Sequence, residues 1–349
     1  MGRKAASKKV YVAMSGGVDS SVAALLLKNQ GYDVVGAHMI CWEGCDNAKD
    51  RHDARRVAAR LGIPFKVFDF RKEYREKVFD YMIREYAAGR TPNPDAMCNR
   101  EIKFGIFLER SLAEGADFVA TGHYARLRRA DADHRFRLLE AKDKTKDQSY
   151  FLWTLTQGQL RYCLFPIGDY LKSEVREIAR AHGLVTADKK DSQGLCFVGK
   201  VNFQDFLRAH IPAKAGEVVS ADGRVIGAHG GAEFFTPGQR HGIKIGGGEP
   251  YYVAAKDIEK NRVVAANGRD QVLYKKEIIV SDVNLVADLP ERCEVRIRYR
   301  QPKQSVSIYQ LSTINYKLVF GVPQRGVAPG QSAVFYDGEQ MLGGGVIQA

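Results

Sequence analysis

No apolar run in this 349-residue chain reaches the roughly 18 residues that a membrane-crossing helix needs. The basic stretch from Met1 to Lys9 is followed by no signal-peptide apolar segment. Ala6 stands where N-myristoylation needs Ser or Thr. These absences exclude a helical span and a secretory leader, and the expected location is cytoplasmic, with no membrane partner. Cysteine is sparse, at 6 residues, and forms no Cys-x-x-Cys pair. In a reducing compartment those thiols stay reduced, so any disulfide is expected to be transient and catalytic. Internal repeats and low-complexity tracts are missing. So is the lysine-bearing GxxxxGK[ST] loop of the common nucleotide-binding enzymes.

Acidic residues are outnumbered, 41 against 53 Lys and Arg, for a net charge of +12. A basic surface favours polyanions, nucleic acid first. Length alone argues for two or three domains.

The most informative stretch is Ser15-Gly16-Gly17-Val18-Asp19-Ser20-Ser21. It follows the apolar run Val10 to Met14, which reads as a buried strand, and precedes Val22 to Leu27, which suits one face of a helix. Two glycines and three hydroxyls therefore sit where a strand turns into a helix. Glycine lets the backbone approach a ligand closely, and N–H groups at a helix start favour phosphate. Asp19 stands near the place of the missing lysine, as a Mg²⁺ ligand beside a nucleotide or as a helix cap. The alternative without chemistry is a glycine-rich turn capped by Asp19 or Ser20.

The first half alternates strands (34–40, 65–68, 117–121) with helices (54–61, 72–88, 100–114). That alternation predicts an α/β fold with a doubly wound, mostly parallel sheet. Its ligands belong at the carboxyl ends of the strands, where the loop, Met39 and Gly122-His123 fall. We place this domain at 1–210, closed by a helix holding Phe203, Phe206 and Leu207. A small β-rich central domain is expected at 211–272 and a C-terminal β-barrel at 273–349.

Cys98 lies in a Pro-containing loop ahead of the helix expected at 100–114, where a thiol's pKa falls. Cys196 follows Lys189 and Lys190, whose field also favours thiolate. Cys163 and Cys293, in apolar settings, read as buried hydrophobes. His38, Cys41 and Cys45 lack the fourth ligand of a structural zinc site. An iron–sulfur cluster on Cys98, Cys196 and a third ligand stays open. Lys142, Lys144 and Lys146 form a basic cluster suited to phosphate. Arg296, Arg298 and Arg300 alternate on a strand, which sets Arg298 and Tyr299 on opposite faces unless the strand ends or bulges there.

The SGGxDS loop resembles that of the PP-loop ATP pyrophosphatases, adenine-nucleotide hydrolase-like enzymes that adenylate a substrate oxygen. With Asn93-Pro94-Asp95, Cys98-Asn99, Thr121 to Ala125, Lys146 to Leu152, Lys190 to Phe197, Thr236 to Arg240, Arg298 to Gln301 and Gly330-Gln331, the chain from about Lys9 to Ile347 resembles the bacterial tRNA-specific 2-thiouridylases. Residues 1 to 8 and Pro237 depart from the pattern, away from the active site. The resemblance implies ATP contacts from Ala13, Met14, Ser15, Gly16, Gly17, Val18, Asp19, Ser20, Met39 and Gly122. It implies a persulfide on Cys196, with Cys98 as its thiol partner. It places Asn93, Pro94 and Asp95 around the target base, and His123, Lys146, Asp147, Gln148, Arg298, Tyr299 and Gln331 on tRNA. Asp95 is the candidate proton acceptor, or else a turn former after proline. The implied partners are the anticodon loop of wobble-uridine tRNAs and a cysteine-desulfurase-fed sulfur donor. Two other readings compete: an amidating synthetase of the same superfamily, which needs neither cysteine, and a non-catalytic RNA binder regulated by nucleotide.

Overall fold

The computed structural model describes residues 7–42, 47–130, 134–191, 202–243, 245 and 249–348. Cys45 and Cys196 lie outside the described residues. The chain forms two compact units, one of Met1–Val78, Pro94–Lys200 and Glu339–Leu342, the other of Phe79–Asn93, Val201–Gly338 and Gly343–Ala349.

The first unit opens with β1 (Lys9–Ala13), α1 (Val18–Asn29), β2 (Asp33–Ile40), α2 (Asn47–Leu61) and β3 (Phe65–Asp69). Next, α3 (Arg71–Tyr74) runs through a π-helical turn, Arg75–Phe79, into α4 (Asp80–Ala87), which counts with the second unit. A second interrupted helix joins α5 (Pro94–Cys98), a π-helical stretch (Asn99–Ile106) and α6 (Phe107–Ala113). The order continues with β4 (Phe118–Ala120), the hairpin strands β5 (Ala125–Arg129) and β6 (Phe136–Glu140), α7 (Gln157–Leu160), β7 (Cys163–Leu164) and α8 (Lys172–Ala181).

Strands β3-β2-β1-β4-β7 form one sheet, and every neighbour pair is parallel. Val10, Tyr11, Val12 and Ala13 are all buried, as expected of a parallel strand covered on both faces. Val22 and Leu25 of α1 and Ala54, Val57, Ala58 and Leu61 of α2 pack in the same core. Each fully buried valine or leucine there contributes about 1.5–3 kcal/mol. The strand order reverses between β1 and β4, which makes their carboxyl ends the switch point of the sheet.

The second unit continues with α9 (Phe203–Arg208), the helix expected to close the first domain. Its Phe203 packs on Tyr86 and its Phe206 on Phe79. Four strands follow as a small sheet in the order β10-β11-β8-β9, with β8 (Gly216–Val219), β9 (Val225–His229), β10 (Tyr251–Asp257) and β11 (Arg262–Asn267). The last six are β12 (Tyr274–Leu285), β13 (Arg292–Arg296), β14 (Gln304–Gln310), β15 (Tyr316–Arg325), β16 (Ser332–Asp337) and β17 (Gln340–Ile347). They run β12-β15-β14-β13-β16-β17, and β17 pairs back on β12 through Ile347 with Val280 and Gly343 with Leu285. That closes a six-stranded barrel, which leaves no free edge.

Candidate nucleotide site

The loop after β1 builds its own frame. Gly17 is the residue before α1, and no side chain caps it, so neither Asp19 nor Ser20 is the cap. Instead Ser20 and Ser21 turn their hydroxyls back onto the Gly17 carbonyl, at 3.2 and 2.8 Å. The Ser15 N–H donates to Ser20 Oγ at 3.2 Å. The first intrahelical bond runs from Ser21 N to Gly17 O, so the N–H groups of Val18, Asp19 and Ser20 have no intrahelical acceptor. Such groups at a helix start attract anions.

Two glycines fix the loop's surroundings. Gly16 has φ +77°, and a Cβ there would lie 2.2 Å from the Asp50 carbonyl. Gly122, just past β4, would bring a Cβ to 2.6 Å from Ser20 N. The end of β4 thus lies directly on the loop, at the switch point. Ala13, Met14, Val18, Ser20 and Met39 are buried around it, while Ser15 is exposed.

Charged side chains from distant parts of the chain meet here. Lys172, the first residue of α8, places Nζ 2.7 and 2.8 Å from the two Asp19 carboxylate oxygens and 2.9 Å from Asp191 Oδ1. The Tyr124 hydroxyl donates to Asp19 Oδ1 at 2.9 Å. Asp191 also receives Lys146 Nζ at 2.7 Å and Arg176 Nη2 at 2.9 Å. Burial works against its charge, yet the Lys146 and Lys172 ammoniums hold its carboxyl at about 2. Lys189 Nζ bonds the Gly16 carbonyl at 2.9 Å, Asp50 Oδ1 at 2.8 Å and Asp53 Oδ2 at 2.6 Å. The Lys189 ammonium therefore ties the loop to α2.

Several expectations change. Cys98 is not in a loop: the helix begins at Pro94, whose fixed φ suits a first helical position, and Cys98 ends its first turns fully buried. Asp95 lies in that first turn, half-buried, where a carboxylate suits the helix dipole, so it is not a turn former. Lys142 pairs with Glu174, Lys144 with Glu140 and Glu339, and Lys146 with Asp191, so each lysine of this cluster has a carboxylate partner. The arginine alternation breaks because β13 stops at Arg296 and Arg300 takes φ +64°. That ending removes the facing problem at Arg298 and Tyr299.

The residues expected on RNA are engaged within the fold. His123 is buried, 2.7 Å from Thr121 Oγ1, and burial with the nearby Lys103 ammonium keeps its pKa well below the usual range. Asp147 accepts from Ala141 N, Ser149 N and Ser149 Oγ, and Gln148 Oε1 accepts from Tyr124 N. Arg298 Nη2 donates to the carbonyls of Pro237, at 2.6 Å, and Gly326. In the second unit Asn93 Nδ2 donates to Ser332 Oγ at 3.0 Å and Gln331 Nε2 to the Pro92 carbonyl at 3.2 Å. These two meet as a clasp between the Thr91–Asn93 strap and the barrel. Among the described residues no three His, Cys, Asp or Glu gather as a metal site.

Sequence reading missed Lys172, Tyr124, Arg176 and the two-sided role of Asp191. The signal present was weak: Lys172 and Arg176 stand four apart on α8, on one face.

Three family profiles cover the chain. A "tRNA methyl transferase HUP domain" matches residues 8–200, a "tRNA methyl transferase PRC-barrel domain" 204–267, and an "Aminomethyltransferase beta-barrel domain" 275–347. The first of these defines the nucleotide-binding class of the parallel-sheet unit. Over nearly full length the chain is similar to tRNA-specific 2-thiouridylase MnmA 2 of Geobacillus kaustophilus, 48% identical, covering 97% of this chain and 94% of the relative. MnmA of Bacillus subtilis is 46% identical, covering 99% and 96%. The chain belongs to the tRNA-specific 2-thiouridylase MnmA family. Among solved structures, the U34-tRNA thiolase NcsA of Methanococcus maripaludis with its [4Fe-4S] cluster aligns at 20% identity and TM-score 0.38, over 59% of this chain and 68% of that one.

Proposed function

We propose that this protein is an ATP-dependent tRNA 2-thiouridylase. The observation that carries the reading is the Ser15–Ser21 loop at the switch point of the sheet, with Lys172 delivered to its first helical turn by α8. Methyl transfer, named in two profile descriptions, calls for no pyrophosphate-holding loop. Thiolation of a carbonyl carbon does, because the oxygen must first become a leaving group.

In this reading ATP is a substrate. The O2 atom of the wobble uridine attacks the α-phosphorus, and pyrophosphate leaves toward the N–H groups of Val18, Asp19 and Ser20. Lys172 supplies the ammonium that the loop itself lacks. Magnesium shields phosphate charge when bound with a nucleotide, and the carboxylate chemistry of Asp19 suits it. With the cation bound, Asp19 would be the carboxylate that holds it, and Asp191 would still hold Lys172. Tyr124 stays on Asp19 and sets its orientation.

Sulfur arrives from a donor protein as a persulfide on Cys196. Its terminal sulfur attacks C2, AMP leaves, and Cys98 resolves the remaining sulfur–sulfur bond as the Cys98–Cys196 disulfide, which a thiol reductant then reopens. Release of hydrosulfide by Cys98 before attack on C2 is the second route. Asp95, two residues into the Cys98 helix, takes the proton near the base.

The test is mass spectrometry of tRNA nucleosides after incubation with ATP and a sulfur donor. The expected product carries one oxygen-for-sulfur exchange at the wobble uridine, with AMP and pyrophosphate formed in equal amounts. Unchanged sulfur content in tRNA that nonetheless consumes ATP rejects thiolation. Full activity after Cys98→Ala rejects the sulfur route through that thiol.

A further inference from the structure

Helix α2 has three faces. Ala54, Val57, Ala58 and Leu61 are in the core. Asp50 and Asp53 turn toward Lys189. The remaining face carries Ala48, Arg51, His52 and Arg55, at spacings i, i+3, i+4 and i+7. With Phe65 and Val67 of β3 it lines a groove of about 610 Å³.

Three observations give this groove a charge and an opening. The helix sequence NAKDRHDARRVAARL holds five Lys and Arg (Lys49, Arg51, Arg55, Arg56, Arg60) against two Asp, and both Asp are already bound by Lys189. Among the described residues, Arg51, His52 and Arg55 make no ion pair, and all three are exposed. Strand β3 is the edge of its sheet, and Val67 on it is 44% exposed. By contrast the lysines at 142, 144 and 146 are each held by a carboxylate. Of these two basic clusters, the strip on α2 is the one with no carboxylate partner among the described residues.

Its position ties it to the reaction. The Asp50 carbonyl packs on Gly16 of the nucleotide loop. From Asp50 to Arg55 the helix advances about 7.5 Å, and Arg51 and Arg55 stand about 6 Å apart along it, on the scale of the step between successive phosphates. Resting on the functional reading above, we infer that this groove holds the phosphodiester backbone of the tRNA beside the base being modified, through Arg51 and Arg55. Two adjacent phosphates fit a pair of guanidinium forks on one helix face. The contact is read from charge, not from base edges, so it serves every substrate tRNA alike. Arginines beside an edge strand also discourage pairing with a second chain. That role would leave RNA affinity and its salt dependence untouched.

The experiment compares the parent protein with the double variants Arg51→Gln/Arg55→Gln and Arg51→Lys/Arg55→Lys. Filter binding of full-length tRNA is measured across a potassium chloride series, beside steady-state AMP formation and thermal melting. In the glutamine pair, tRNA affinity should fall about tenfold near 0.1 M salt. The slope of log K against log salt should become shallower by about 1.4–1.8, for two lost phosphate contacts. KM for tRNA should rise with KM for ATP and kcat unchanged, and the lysine pair should recover most of the slope. Unchanged affinity and slope in a folded glutamine pair, or equal losses in both pairs, overturn the inference. So does a glutamine pair that keeps tRNA but loses a polyglutamate probe that the parent binds, which would assign the groove to an acidic protein. A parent that binds no tRNA overturns the functional reading itself, and this contact with it.

Discussion

Lys172 and Gly122 show how single residues set the geometry of the loop after β1. Lys172 neutralises Asp19 and Asp191 at once, so removing it leaves two partly buried carboxylates facing each other. Lys172→Met is expected to lower tRNA-dependent pyrophosphate release by about 10²–10³-fold, the usual cost of losing one charge-stabilising donor. Lys172→Arg should retain more activity, and a variant pair that both keep parental rates would remove Lys172 from the site. The Cβ of Gly122→Ala would meet Ser20 N at 2.6 Å and displace the loop backbone. ATP affinity should drop at least tenfold and the melting temperature should fall as well; calorimetric titration of the folded variant with a non-hydrolysable ATP analogue reads the first, and thermal melting the second. Asp191 adds a pH signature. Its folded pKa of about 2 lies below the ordinary 3.8, so its contribution is complete above that value and is lost as pH falls toward 2. Acid unfolding of Asp191→Asn should therefore lose less stability between about pH 4 and 2 than the parent does, as followed by circular dichroism.

At the scale of elements, periodicity and punctuation located β1, β2, β3 and β4, the loop before α1, and the C-terminal barrel as a whole. Burial on both faces of Val10 to Ala13 and the 54, 57, 58, 61 spacing are local signals that the fold obeys. The start of the Cys98 helix was legible but misread. Pro92 and Pro94 look like loop punctuation, yet a proline is equally at home in a first helical turn, and only packing decides between them. The arginine alternation at 296, 298 and 300 continued on paper because a strand's end is marked here by a positive φ at Arg300, a residue type that gives no such warning. The carboxylate partners of the lysine cluster were illegible for another reason. Its partners Glu174, Asp191 and Glu339 lie 32, 45 and 195 residues away, a distance that no window reads. Helix α5 makes its own prediction. Cys98 is fully buried, so alkylation in the native protein must wait for local opening and should be at least about 10²-fold slower than in urea. A Cys98 that reacts with iodoacetamide equally fast in both states would contradict that burial.

The whole molecule is threaded rather than strung. The chain passes from one unit to the other after Val78, Asn93, Lys200, Gly338 and Leu342. Within the first unit, Gln340 and Met341 pair with Leu139 and Leu138 of β6, the Glu339 carbonyl accepts from Glu140 N, and the Glu339 carboxylate receives Arg126 and Lys144. A protein truncated after Gly338 should lose this strip, and with it both the cover of the β5–β6 hairpin and the strand that closes the barrel. We expect lower thermal stability of the ATP-binding unit, by about 2 kcal/mol or more for the lost strand pairing and ion pairs. Differential scanning calorimetry of the truncated chain in the presence of ATP measures it, and an unshifted transition would show the strip to be dispensable.

That strip also fixes an order in time. On the ribosome the parallel sheet emerges early, but the four residues that finish its unit emerge only after β12 to β16. A nascent chain therefore holds an incomplete parallel-sheet unit until β16 has been made, and a prematurely terminated product inherits that unfinished state.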